Sequence, residues 1–429
     1  MHVLTSTILI FVAASLPQPT GSAADEFQRI RRQLHDSRVA NDWRSNLVSA
    51  IELKQLMHGA PNSLLEVARA EAKVGDAKAA LRALGEFAQM GQSTDLISTL
   101  PEFTSLKTEE GFAGVQGAMK ANLSPVSVGR LAFELSDSEL QPEDIDFDPG
   151  TKRFFITSVR EKKIVSSDDR GRTKEFAKSP DGWPMMAVKV DAARGVVWAT
   201  EVALSGFSAV AKADWGHSAV LCFELKSGKL RRRVEGPQSS ALGDMTLTGT
   251  GDLLVSDGDG GGVYRLAAGA SALQRVDAGD FISPQTPVMA PDGKRAFVPD
   301  YVRGIGLLDL ATKKVQWLGM EGKYALSGID GLYLDHGRLI AVQNGSSPER
   351  VVAFTLDTSL TKIGSETILE RSTATLGDPT HGVVVEHDFY YIANSGWDVV
   401  DDHGNLKPGA KVSMPRIMQA HIGQTSSQF

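Results

Sequence analysis

Glu143, Asp244, Gln285, Asp330 and His381 stand far apart in the sequence, yet each lies at the start of a short apolar run of the same design. Pro142-Glu143-Asp144-Ile145-Asp146-Phe147 precedes Arg153-Phe154-Phe155-Ile156-Thr157-Ser158, Asp330-Gly331-Leu332-Tyr333-Leu334 precedes Arg338-Leu339-Ile340-Ala341-Val342, and His381-Gly382-Val383-Val384-Val385 precedes Phe389-Tyr390-Tyr391-Ile392. Carboxylates, an amide and an imidazole gathered from such distant places can bind a hard cation through oxygen ligands or perform acid/base work. Asp300, Asn344 and Asn394 end second runs of the same kind. They either line the same space or act as turn residues.

The elements that would bring these residues together repeat. With Glu143, Met186, Gly243, Gln285, Asp330 and His381 as equivalent positions, the successive separations are 43, 57, 42, 45 and 51 residues. A strand, a Gly/Asp turn, a second strand and an outer strand recurring at a period in the forties make a propeller blade. Six units predict a six-bladed β-propeller over residues 126–415, a ring that closes its strand edges, with residues 416–429 left as a tail. In such a ring the inner strands begin at one rim of the central channel, so the equivalent positions converge on the axis. The long second interval predicts an insertion, Leu204 to Ser218, carrying Trp215 and His217.

Residues 24–122 have a different character, with apolar residues at helical spacing and abundant Ala, Glu and Lys. Pro61 to Phe87 resembles one tetratricopeptide repeat: Leu64, Val67 and small Ala68, a turn at Gly75, then Ala80, Leu84 and Phe87, with Glu71 where that repeat prefers an aromatic. Two readings stand: a groove for a protein partner, or a helical cap packed on the propeller. Residues 1–23 read as a signal peptide, with an apolar run from Val3 to Leu16 and small residues Gly21-Ser22-Ala23-Ala24 before Asp25. That run is shorter than the roughly 20 residues of a membrane span, so the expectation is an exported protein, periplasmic or secreted, with no span in its mature form.

Composition removes other classes. The formal charge is −7, which offers no attraction to phosphate backbones, so nucleic acid is excluded as a partner. The single cysteine, Cys222, lies in an apolar run and reads as core, which excludes an intrachain disulfide and a cysteine metal cluster. Ser256 to Gly262 has neither the acidic twelfth position of an EF-hand nor a P-loop lysine and reads as a blade turn. Arg231-Arg232-Arg233 reads as a solvated strand end, and Trp183 and Trp397 as either core or stacking surfaces at the channel mouth.

The blade period together with Pro142 to Asp148 and Asp330 to Asp335 resembles the gluconolactonase/regucalcin-like family of six-bladed propellers, over roughly residues 126–400. The resemblance implies one divalent cation in the channel (calcium, zinc or manganese) and a sugar lactone or similar small molecule as substrate. By it, Glu143 falls on the family's metal-binding glutamate and Asp330 on its aspartate, which is also the general base. Two positions depart from the pattern: the metal-binding asparagine becomes Gln285, and the third-blade asparagine that contacts substrate becomes Gly243 followed by Asp244. The expected metal ligands are therefore Glu143, Gln285 and Asp330, the catalytic residues Asp330 and His381, and the substrate contacts Asp244, Asn344 and Asn394. His381 can also serve as a fourth ligand or fix its blade turn. The expected function is an exported metal-dependent hydrolase. The alternatives are a non-enzymatic ligand-binding or scaffold propeller and a strictosidine-synthase-like or other NHL-type propeller with different chemistry.

Overall fold

The computed structural model describes residues 21–320 and 323–423, so the apolar run of the expected signal peptide lies outside the described residues. The expected cleavage point before Asp25 falls in the first turn of helix α1 (Ala23–Val39). Among the described residues, no helix is long and apolar enough to cross a membrane.

Helix α1 is followed by α2 (Trp43–Leu56), α3 (Pro61–Val74), α4 (Ala77–Gln89) and, after a 3-10 segment, α5 (Phe112–Ala121). Their ends are written in the sequence. Ser22, Asp42 and Asp76 each accept a backbone N–H of the following first turn, Pro61 opens α3 without needing a partner for its missing N–H, and Gly75 ends it at φ +90°. Leu64, Ala68, Ala80 and Leu84 are buried in the seam between α3 and α4, where the small residues allow close approach. The same apolar cluster takes in Ile282, Val302 and Ala325 of the propeller. On this face the helices are a packed cap, the second of the two readings.

The rest of the described chain forms six sheets in a ring, antiparallel except where Gly319–Met320 runs parallel to Lys362 and Ile363. The first three blades take their four strands in chain order: Pro142–Asp148 to Thr173–Lys178, Met185–Asp191 to Leu230–Glu235, and Leu242–Leu247 to Gln274–Arg275. Blade 4 runs from Val288–Met289 to Val315–Trp317, and blade 5 from Gly331–Asp335 to Lys362–Arg371, with Val126–Ser127 and Gly319–Met320 added at its edge. Blade 6 combines Gly382–Val385, Asp388–Ile392 and Arg416–His421 with Gly129–Glu134 from the start of the propeller. The ring is thus closed by both ends of its chain. The expected tail is corrected here: residues 416–421 are the third strand of blade 6, hydrogen-bonded on both sides, and buried Ile417, Met418 and Ala420 are part of the core.

Each junction between neighbouring blades holds its own apolar layer, such as Phe155, Ile164, Met185, Val197 and Phe223 between blades 1 and 2, or Phe133, Ile145, Phe154, Ile392 and Ile417 between blades 6 and 1. Near the axis, where little apolar area is available, the junctions are clasped by hydroxyls. Thr157, Thr200, Ser256, Thr286 and Thr380 donate to the carbonyls of Met186, Gly243, Gln285, Asp330 and Glu143 in the next blade, at 2.5, 3.2, 2.6, 3.1 and 2.8 Å. The remaining junction, blade 5 to 6, uses the Tyr333 hydroxyl, which accepts from Gly382 N at 2.7 Å. The clasped carbonyls belong to the equivalent positions read from the sequence, so the bonds that hold the blades in register also fix the axial residues.

Candidate functional site

Three of the axial residues meet. One ligand atom each from Glu143, Asp330 and His381 lies within 4.8 Å of the others, and all three side chains are buried. They come from blades 1, 5 and 6, and Asp244 of blade 3 joins them with its Oδ1 3.0 Å from His381 Nε2. Asp330 Oδ1 lies 4.0 Å from the same nitrogen.

Each side chain is held from behind. His381 Nδ1 lies 2.9 Å from the Glu143 carbonyl oxygen, which can only accept, so Nδ1 carries a proton and Nε2 points into the cluster. The Trp397 indole N–H donates to Glu143 Oε2 at 2.6 Å. Asn344 Nδ2 donates to Asp330 Oδ2 at 2.8 Å, and the Tyr301 hydroxyl in turn donates to Asn344 Oδ1 at 3.0 Å. Burial, and then the charge of Asp330, hold the Glu143 carboxyl above its ordinary range. Burial also raises Asp330 against the pull of His381. Burial opposes a charge on His381, but Asp244 and Asp330 keep its imidazole well above the ordinary value.

Two buried atoms in this cluster, His381 Nε2 and Asp244 Oδ2, have no aligned hydrogen-bond partner. The contact between His381 and Asp244 is therefore one of charge rather than a directed bond. A histidine whose Nδ1–H is spent on a backbone carbonyl, with Nε2 facing two carboxylates, has the arrangement of a metal-ligating imidazole and its outer support. The donor set of carboxylate oxygens and one imidazole nitrogen fits a divalent cation, and suits zinc or manganese better than calcium, which prefers oxygen throughout.

Gln285 is held through its side-chain nitrogen. Its Nε2 turns back to Ser283, at 3.1 Å from Oγ and 3.3 Å from the carbonyl, while its own backbone is tied to Pro299 and Ser256. Asn394 braces its loop: its side-chain nitrogen donates to Ser413 Oγ and the Met414 carbonyl, and its Oδ1 accepts from Arg416 N, so both of its N–H groups are committed to the loop. Asp300 is buried and collects the N–H groups of Ile282, Ser283, Val302 and Arg303. Asn344 does reach the axis, where it touches Asp330.

The surroundings hold features the sequence did not advertise. Lys189 pairs with Asp144 at 2.6 Å, so that carboxylate braces blade 2 and is not part of the cluster. The insertion of blade 2 crosses to a loop of blade 6: Ser208 N and Oγ reach the His403 carbonyl at 2.9 and 3.2 Å, Ser208 Oγ meets Asn405 Oδ1 at 2.7 Å, and Phe207 packs edge-on against Trp397. This strap joins blades 2 and 6, the two neighbours of blade 1, and Trp397 links it to Glu143. Trp183 is buried in the apolar cluster beneath it, and Trp397 lies at its edge.

No protein family matches the sequence, and neither does any curated protein. Solved structures similar to this chain include the PQQ-bound aldose sugar dehydrogenase of Streptomyces coelicolor, 14% identical over 69% of this chain and 99% of that one, TM-score 0.46. Regucalcin of Agrobacterium tumefaciens, a calcium-binding protein, is 15% identical over 69% and 96%, TM-score 0.47, and virginiamycin B lyase of Staphylococcus aureus is 16% identical over 61% and 80%, TM-score 0.45. The six-bladed architecture itself rests on the sheet topology.

Proposed function

We propose that the axial cluster holds one divalent cation and that the protein hydrolyses a lactone or a related ester beside it. The observation that carries this reading is the convergence of Glu143, Asp330 and His381 within 4.8 Å at the buried axis, with His381 Nε2 left without an aligned hydrogen bond. Glu143, Asp330 and His381 would hold the cation, with Asp244 Oδ2 free to add a fourth contact. Bound there, a divalent cation supplies polarisation of the carbonyl and a more acidic water.

The chain's own groups do the rest. Asp330, oriented through Oδ2 by Asn344, takes the proton of the attacking water. As the water oxygen bonds to the carbonyl carbon and the ring C–O bond breaks, that proton passes to the departing alkoxide, giving a hydroxy acid. Trp397 keeps Glu143 from turning away, and the strap shields the site on the side of blade 1. Export belongs to the proposal, supported by the apolar run before Gly21.

The test is elemental analysis of protein recovered from the exported fraction, followed by a panel of lactones. About one equivalent of zinc, manganese or calcium per chain is expected, lost in Glu143→Ala. Asp330→Ala should abolish both lactone hydrolysis and tight metal binding while the fold survives. Undiminished hydrolysis by Asp330→Ala would remove the axial cluster as the catalytic site, whereas a wild-type protein that neither contains nor takes up metal and opens no lactone would remove the hydrolase reading in favour of a ligand-binding propeller. Absence of the chain from the exported fraction would remove only the export.

A further inference from the structure

Two neighbouring rim loops each serve the axial site and the helical cap in alternate residues. In the first, Asp300 to Arg303, Tyr301 turns inward to Asn344, and Val302 next to it is buried among the helices. Arg303 donates through Nε to the Leu56 carbonyl at 2.9 Å, lies 3.1 Å from His58 Nε2, and stacks 4.4 Å above the Trp317 ring. Buried Asp300 locks this loop by accepting four backbone N–H groups, so Tyr301 and its two neighbours move as one body.

In the second, Gln343 to Arg350, Asn344 donates to Asp330. Beyond Asn344 the loop is bound to the cap. Fully buried Arg350 joins Gln343 at 2.7 Å and the Met90 carbonyl at 3.4 Å, Ser347 N donates to Gln92 Oε1 at 3.1 Å, and Ser93 N donates to the Ser347 carbonyl at 2.6 Å. A side chain added at Gly91 would strike the Arg350 guanidinium at 2.7 Å, so the turn after α4 fits this loop closely.

We infer that the helical cap positions Asp330, through the two loops and the Tyr301–Asn344 pair that joins them. Tyr301 and Asn344 are positioning residues, and the cap is the body against which they are set. A shift of the cap changes the distance between the two loops, and with it the hydrogen bond that orients the Asp330 carboxylate. The inference rests on the proposed metal site for one of its two readouts.

The experiment compares wild type, Arg303→Ala and Tyr301→Phe in the full chain. The first readout is the side-chain amide resonance of Asn344 in metal-free protein labelled with nitrogen-15 asparagine, identified by its loss in Asn344→Asp. The second is manganese affinity by calorimetry. Arg303→Ala removes contacts to the cap, together with those to the Asp280 carbonyl and the Trp317 ring on the propeller rim, and none to the axial cluster. It should shift the Asn344 resonance and weaken manganese binding by about tenfold, the lower end of what outer-shell partners contribute. Tyr301→Phe should do the same with the cap in place. An Asn344 resonance that moves in Tyr301→Phe but not in Arg303→Ala, or in neither, overturns the inference. If Arg303→Ala does not fold, Arg303→Gln takes its place, with the same outcomes. A wild type that binds no manganese while Arg303→Ala still shifts Asn344 supports the coupling and removes the metal reading instead.

Discussion

With its Nδ1 proton committed to the Glu143 carbonyl, His381 is left one nitrogen for the axis, and what that nitrogen does is decided by Glu143, Asp244 and Asp330 around it. Glu201, at the end of a strand in blade 2, shows the opposite outcome for a buried charge. It is fully buried, accepts from Ser179 at 2.6 Å and Arg233 at 3.2 Å, and burial holds its carboxyl above the ordinary range. The folded state then keeps a proton that the unfolded chain releases above about pH 4.3, so stability falls as pH rises from that value toward neutrality. Urea midpoints measured across this range should decline in the wild type, and the decline should flatten in Glu201→Gln. An equal decline in both would assign it to other groups. At this scale the sequence pointed to Glu143, Asp330 and His381, which the fold brings together. Glu143, Asp330 and His381 were legible because each opens an inner strand, but a side chain's direction depends on what its neighbours offer, and Ser283 captures Gln285.

At the scale of elements, the hydroxyl clasps make a prediction that burial alone does not. Thr157 accepts from Asp144 N at 2.9 Å and donates to the Met186 carbonyl in the next blade. Thr157→Val keeps the shape and leaves both groups unpaired in the interior, which costs about 1–3 kcal/mol for each such group. The urea midpoint should fall accordingly without a change in the slope of the transition, whereas a change within about 0.5 kcal/mol would mean that the blades are held by their apolar layers alone. Strand pairs within a blade were readable because each repeats a local pattern of strand, Gly/Asp turn and strand. The contacts of the cap with the rim were not, because Arg303 meeting Leu56 and Ser347 meeting Ser93 join residues with no shared local pattern.

For the whole molecule, the strand misread as a tail matters most. Arg416–His421 is separated from the rest of blade 6 by the long loop after Ile392, and its partners on one side, Gly129–Glu134, come from the opposite end of the propeller. No local period can reveal such a strand. A chain ending at residue 415 should lack the bridge between Asp388–Ile392 and Gly129–Glu134 and lose cooperative unfolding, as followed by tryptophan fluorescence against urea. A sharp transition equal to that of the full chain would show that the ring closes without it.

This closure also sets when the site can exist. Glu143 lies in the first blade and His381 in the last, and Thr380 and His381 both grip the Glu143 carbonyl across that boundary. A growing chain on the ribosome, even with five blades complete, has Glu143 and Asp330 but not the imidazole that stands between them. The cluster is assembled only once His381 has been made and the strand Arg416–His421 has closed the ring. A chain without its sixth blade therefore lacks the assembled cluster, and under the proposed function the loading of a cation would be a late event that reports a finished ring.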